Sequence, residues 1–177
     1  MRFLSAGLLT TAATLLMAGP GQADPACEPL VKAMRAFSEQ PGIRQNTYDK
    51  GVLLMQSLSL KDAMYVREGG DGPWRKMPFD LDKRKQMAEQ ALKSMPPGDC
   101  SGPRAEMRDG VAVDIYSYKQ PSPMKPGEFT SSSLWISRAD GLARRMVLSA
   151  TSYQSIEYGT FAAPENVAAP RERRPSR

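Results

Sequence analysis

The chain contains no histidine. That removes Ser-His-Asp and Cys-His nucleophilic catalysis, the usual general base near neutral pH, and the imidazole sites that hold zinc and copper. What remains is a cysteine pair, a few neighbouring carboxylates, clustered serines and many methionines. Cys27 and Cys100 are far apart in sequence and neither has a CxxC neighbour. In an exported chain, where thiols are oxidised, they are expected to form one disulfide. Closing so long a loop contributes roughly 4 kcal/mol by the chain-entropy relation. Asp80 and Asp82 stand at a helix start beside Lys83-Arg84-Lys85, which favours capping over acid–base chemistry. Ser131-Ser132-Ser133 has no base nearby in sequence and reads as the wet side of a strand. There is no G-x-S-x-G, no P-loop and no dinucleotide fingerprint. The residues predict a non-enzymatic protein with no cofactor and no metal site.

Nine of the 11 methionines follow residue 23: Met34, Met55, Met64, Met77, Met87, Met95, Met107, Met124 and Met146. Methionine is flexible and polarizable, and it is over-used on surfaces that accept varied apolar partners. Three readings stay open: a pliable lipid or peptide pocket, thioether binding of Cu(I), and ordinary core filler. No tight M-x-x-M cluster supports the copper reading.

The elements that must position these residues begin after a leader. Residues 1–23 have a basic start at Arg2, an apolar run from Leu8 to Met17, a Gly19-Pro20-Gly21 breaker and small residues at Gly21 and Ala23. This is a secretory signal peptide cleaved before Asp24, and it predicts a periplasmic protein. Asp24-Pro25-Ala26 before Cys27 is not a lipobox. The remaining 154 residues suit one domain. The leader takes one of 24 basic residues and none of 19 acidic ones, leaving a formal charge of +4. Much of that surplus lies in Arg171–Arg177, a basic tail over 165–177 expected to be disordered. Contact of the tail with anionic membrane or an envelope protein is the alternative. No stripe of basic residues interleaved with aromatics suggests nucleic acid.

Pro25–Gln40 reads as a helix capped by Asp24, with Leu30, Val31, Met34 and Phe37 on one face. Strands follow at Ile43–Tyr48, Val52–Leu60, Ala63–Arg67 and Pro73–Met77. Val52, Leu54, Leu58 and Leu60 share one parity of the second. Asp80–Met95 is a second helix, with Leu81, Ala88, Leu92 and Met95 on its apolar face and Lys83, Arg84 and Lys85 among the charges elsewhere. The chain then turns between Cys100 and Pro103. A hairpin about Asp109-Gly110 and a meander from Phe129 to Tyr158, turning at Asp140-Gly141, complete the pattern. From Ala162 the chain is expected to fray. Helix, strands, helix, strands predicts an α+β fold, an antiparallel sheet with helices on one face.

DAMYV followed by PWRKMP, then LWISRADGLARRM and IEYGTFAAP, resemble segments of small periplasmic proteins related in fold to the lipoprotein carrier LolA. The similarity spans Cys27 to Pro164, and a single LolA-like domain is expected over 24–164. The resemblance implies a curled antiparallel half-barrel whose concave face is covered by helices, with an acyl chain, lipid or lipoprotein held between. By that analogy the pocket is lined by Leu54, Leu58, Met64, Val66, Met77, Leu134, Ile136, Met146 and Leu148. Trp74 and Trp135 would sit near its rim or outer face. The alternative is an envelope interaction or signalling module with a filled core and no ligand.

Overall fold

The computed structural model describes residues 24–122, 125 and 127–168. The proposed leader, Met124 and the last nine residues lie outside them. A 3-10 turn at Pro25–Cys27 leads into helix α1 (Glu28–Glu39), followed by strands β1 (Ile43–Asp49), β2 (Val52–Ser59), β3 (Met64–Glu68) and β4 (Arg75–Met77). Helix α2 (Leu81–Ser94) precedes β5 (Gly98–Arg108), β6 (Val111–Pro121), β7 (Phe129–Ser137), β8 (Ala143–Val147) and β9 (Ser152–Tyr158).

The local signals act as expected. The Asp24 carboxylate accepts from the Ala26 N–H at 3.0 Å, and Asp80 accepts from the Lys83 N–H at 2.9 Å, each satisfying a donor the helix leaves free. Lys50-Gly51 and Asp109-Gly110 both take two successive positive φ angles, the backbone that matches a tight hairpin to the twist of its strands. The turn between Cys100 and Pro103 is not formed. That stretch belongs to β5, which pairs with β6 through two register shifts, at Gly98/Ser101 and Ser101/Arg104. The extra residues are accommodated as bulges at the sheet's edge.

Among the described residues one open, curled antiparallel sheet runs in the order β4-β3-β2-β1-β9-β8-β7-β6-β5. Two meanders, β1–β4 and β5–β9, are thus joined where the first and last strands pair. The α+β half-barrel architecture stands.

Residues directly opposite each other in a ladder point to the same side, so the pairing assigns every strand residue to a face. Leu30 and Ala33 of α1 pack with Ile43, Leu134, Ile136, Ala143 and Ile156, which identifies the helix side. A disulfide joins Cys27 to Cys100 with Cα atoms 5.2 Å apart, tying the start of α1 to β5. Helix α2 runs antiparallel beside α1: Glu89 pairs with Arg35 at 2.7 Å, and Arg84 reaches Ser38 and Gln40.

A second, smaller core lies on the outer face, where Leu58, Ala63 and Tyr65 pack with Trp74 and Phe161. Phe161 belongs to a strap that continues where fraying chain is expected, from Ala162 onward. Residues after Gly159 cross this face to the edge strand. There the Trp74 N–H donates to the Asn166 carbonyl at 2.9 Å, and the Ala168 N–H donates to the Trp74 carbonyl at 2.8 Å. The strap covers apolar surface and occupies exposed edge groups, two reasons for a chain end to dock. The expected tail from 165 is therefore bonded through Ala168.

Candidate functional site

The helix side of the sheet divides into a filled and an unfilled part. Beneath α1, Leu134 is 1% exposed and Ile136 9%, with Met146 packed beside them. These three predicted pocket residues form closed core. At the other end, the pairing Met64–Met77 and the Ser57–Val66 pairing place Met64, Val66 and Met77 on the same side. Met55, opposite Thr47, joins them. This group is only partly covered: Met55 is 37% exposed and Met77 44%.

The other predicted residues are elsewhere. Leu58 pairs with Tyr65 and Arg44, so it faces outward. A register shift in the β1–β2 ladder between Thr47 and Tyr48 leaves Leu54 as the unpaired extra residue, which breaks the parity shared in sequence by Leu54 and Leu58. Leu148 lies beyond the end of β8. Trp74 and Trp135 are on the outer face, where Arg67 stacks over the first ring at 4.6 Å and Arg145 over the second at the same distance. The structure therefore does not gather the predicted set into one pocket. It separates Met64, Val66 and Met77 from the rest.

Between the filled and unfilled parts, the helix side of β9, β1 and β2 carries a polar network beside Ile43 and Ile156. The Gln154 amide donates to Thr47 Oγ1 at 3.3 Å, and Gln45 donates to Gln154 Oε1 at 3.4 Å. Ser57 donates to Gln45 Oε1 at 3.4 Å, and Ser59, two residues on and on the same side, is buried. Sequence reasoning missed this floor because serine, threonine and glutamine on an alternating strand read as solvent-facing residues.

Arg84 was missed too. It was grouped with the charges of α2, yet it is 6% exposed. Its Nε donates to the Ser38 carbonyl at 3.1 Å and its Nη2 to the Gln40 carbonyl. Burial pushes its pKa down, but an arginine starts high enough to stay charged. The signal was present. Arg84 falls on the stripe Leu81-Arg84-Ala88-Leu92-Met95, at spacings of three and four.

No group of three cysteine, aspartate or glutamate side chains placed to hold a metal ion occurs among the described residues, and the chain has no histidine. The other displaced titrations are local. Burial raises Tyr118 and Tyr158, and a hydrogen bond from Arg35 lowers Glu89. For Asp140, burial acts to raise the carboxyl, but hydrogen bonds from Leu142 and Ser137 and the Arg144 charge hold it below the usual range.

Two depressions occur on the outer face. One, of about 370 Å³, is floored by Ser101, Ser117 and Ser133 between Arg104 and Trp135. The other, of about 440 Å³, lies along the same strands between Lys119 and Phe129. Trp135 begins an aromatic and cationic ladder in which Arg145 also stacks on Tyr153 at 4.5 Å, and Tyr153 on Tyr48 at 4.9 Å.

Two solved structures superpose on part of this chain. Lipoprotein LppX of Mycobacterium tuberculosis is 13% identical and superposes with a TM-score of 0.46 over 82% of this chain and 100% of that one. LprF from Mycobacterium bovis is 15% identical, with a TM-score of 0.46 over 85% and 99%. No protein-family model and no curated protein matches the chain.

Proposed function

We propose that this is a non-enzymatic binding protein of the cell envelope, exported to the periplasm, that holds the acyl part of a lipid or lipoprotein against the helix side of β2–β4. One observation carries the reading. Met55, Met64, Val66 and Met77 share the helix-facing side yet remain part-exposed, whereas the same side under α1 is closed. Methionines of this kind adapt to apolar guests of varied shape, and covering them removes apolar area from water at ~25 cal/mol per Å² before ordering costs. The Cys27–Cys100 disulfide fits an oxidising compartment. The resemblance of LWISRADGLARRM and IEYG to LolA-related proteins points the same way.

Native mass spectrometry of the protein purified from the periplasm tests this. A reproducible added mass, removed by organic extraction and lost in M64S/M77S with the fold intact, is expected. Bare protein that takes up neither fatty acid nor lipopeptide would overturn it.

A second reading, an envelope interaction module, is favoured by the outer face. Its Trp135–Arg145–Tyr153 ladder and adjoining depressions suit a protein partner rich in acidic residues. The basic residues 171–177 would add attraction to such a partner or to anionic lipid.

A further inference from the structure

Arg84 has bonding capacity that the fold does not use. Two of its three guanidinium nitrogens serve the end of α1, where carbonyls lack helical partners and the helix dipole is negative. The third, Nη1, is buried and has no hydrogen-bond partner among the described residues. No carboxylate among them pairs with Arg84 either. Asp80, four residues earlier, is turned to other work: it caps Lys83 and also lies 3.9 Å from the Lys83 ammonium. A buried guanidinium compensated only by carbonyl dipoles is left with unbalanced charge, and a buried donor left unmade is costly.

Its position relates it to the unfilled part of the sheet. The Leu81 N–H donates to the Lys61 carbonyl at 2.9 Å, which fixes the start of α2 to the turn between β2 and β3. Arg84 follows three residues later and bonds Gln40, just before β1 begins. The helix-side row at this end of the sheet is Ile43, Ser59, Met64 and Met77. Across four strands that row spans about 14 Å. Arg84, with no carboxylate partner among the described residues, thus stands at the β1 end of a row in which Ile43 and Ser59 are buried and Met77, at the β4 end, is part-exposed.

We infer that Arg84 Nη1 is the seat for an anionic oxygen headgroup, a carboxylate or a phosphate, of an amphiphile whose apolar chain lies toward Met64 and Met77. This rests on the carrier reading and narrows its ligand class to anionic amphiphiles. Guanidinium suits such a head because its remaining N–H groups are coplanar and make charge-assisted bonds to paired oxygens.

The test is equilibrium binding of laurate, methyl laurate and lauryl phosphate to the disulfide-bonded protein and to R84M. The wild type is expected to bind at least one of the two anions about tenfold or more tightly than the ester. In R84M that anion's affinity falls to the ester's, while ester binding persists. A larger preference for lauryl phosphate assigns a phosphate head, and a larger preference for laurate assigns a carboxylate. A measurement on the wild type alone covers the case in which R84M fails to fold. Carboxyl-labelled laurate, followed by NMR, should stay ionised to lower pH when bound than when free. Equal binding of ester and both anions by the wild type overturns the Arg84 assignment and leaves the carrier reading intact. Binding of none of the three overturns both.

Discussion

Gly42 approaches Gly159 so closely that a β-carbon on Gly42 would stand 2.1 Å from the Gly159 carbonyl oxygen. The contact occurs where α1 gives way to β1 and where β9 gives way to the strap, and the Gly159 N–H also donates to the Gly42 carbonyl at 3.3 Å. Two backbones meet there, so no side-chain rotation relieves a clash. G42A is therefore expected to destabilise by about 2–3 kcal/mol. At Gly98 a β-carbon meets nothing within 4 Å, and G98A should lie within about 0.5 kcal/mol of wild type. Urea unfolding of the two variants checks the contrast. Equal midpoints would refute the close approach.

Removing the Cys27–Cys100 link should lower stability by up to about 4 kcal/mol, because the bridge closes a loop of 73 residues in the unfolded chain. At a urea slope of about 2 kcal/mol/M, the midpoint of C27S/C100S falls by about 2 M. A shift below about 0.5 M would show that the unfolded chain is not measurably restrained by the link.

The strap gives a length-dependent prediction. A chain ending at Ala168 keeps the partners of Trp74, whereas one ending at Ala163 loses both the Asn166 carbonyl and the Ala168 N–H. Hydrogen exchange at the Trp74 amide should accelerate about tenfold or more only in the shorter chain, the loss of roughly 1.4 kcal/mol of local protection. F161A should cost about 2 kcal/mol in either chain, since the ring packs on the Leu58–Tyr65 cluster and lies 4.5 Å under Arg44. Unchanged exchange in the shorter chain would remove the strap from the account of edge protection.

Asp140 supplies a pH dependence. Its folded pKa lies below the ordinary value, so the unfolded chain binds the proton more readily. The stabilisation is complete above the unfolded value of roughly 4 and is lost as pH falls through the folded value. Partial exposure and screening keep the contribution to about 0.5–1 kcal/mol. Wild type and D140N should differ by this amount at pH 7 and converge near pH 2. A difference that persists at pH 2 would show that the Leu142 contact, and not ionisation, sets the effect.

Much of the fold was legible because its signals are local. Asp24 and Asp80 cap their helices through donors two or three residues away, and Asp109-Gly110 makes its hairpin with no help from elsewhere. The alternation of Leu134 and Ile136 against Ser133 and Trp135 also survives in the sheet. β2 shows where this stops. Leu54 and Leu58 share a parity in sequence, but one unpaired residue separates their registers, and Tyr48–Leu53 pairing across strands decides it. Phe161 and Val167 carry no periodic signal, because what holds them is distant in sequence: the Leu58–Tyr65 cluster for Phe161 and Trp74 for Val167.

By itself the sequence determined the helices, the succession of strands along the chain, the cysteine pairing expected of an exported chain and the loss of imidazole chemistry. Each depends on residue type or on short-range geometry. Only the tertiary structure decided which part of the helix side stays unfilled. α1 closes over Leu134 and Ile136 and leaves Met64 and Met77 part-exposed, a consequence of which strands of the nine-stranded sheet one helix covers. It also decided that Arg84 is buried with Nη1 unpaired among the described residues, because the carbonyls that draw it inward come from Ser38 and Gln40, more than forty residues away. Burial and partnership are properties of the assembled layers, and no spacing within one segment encodes them.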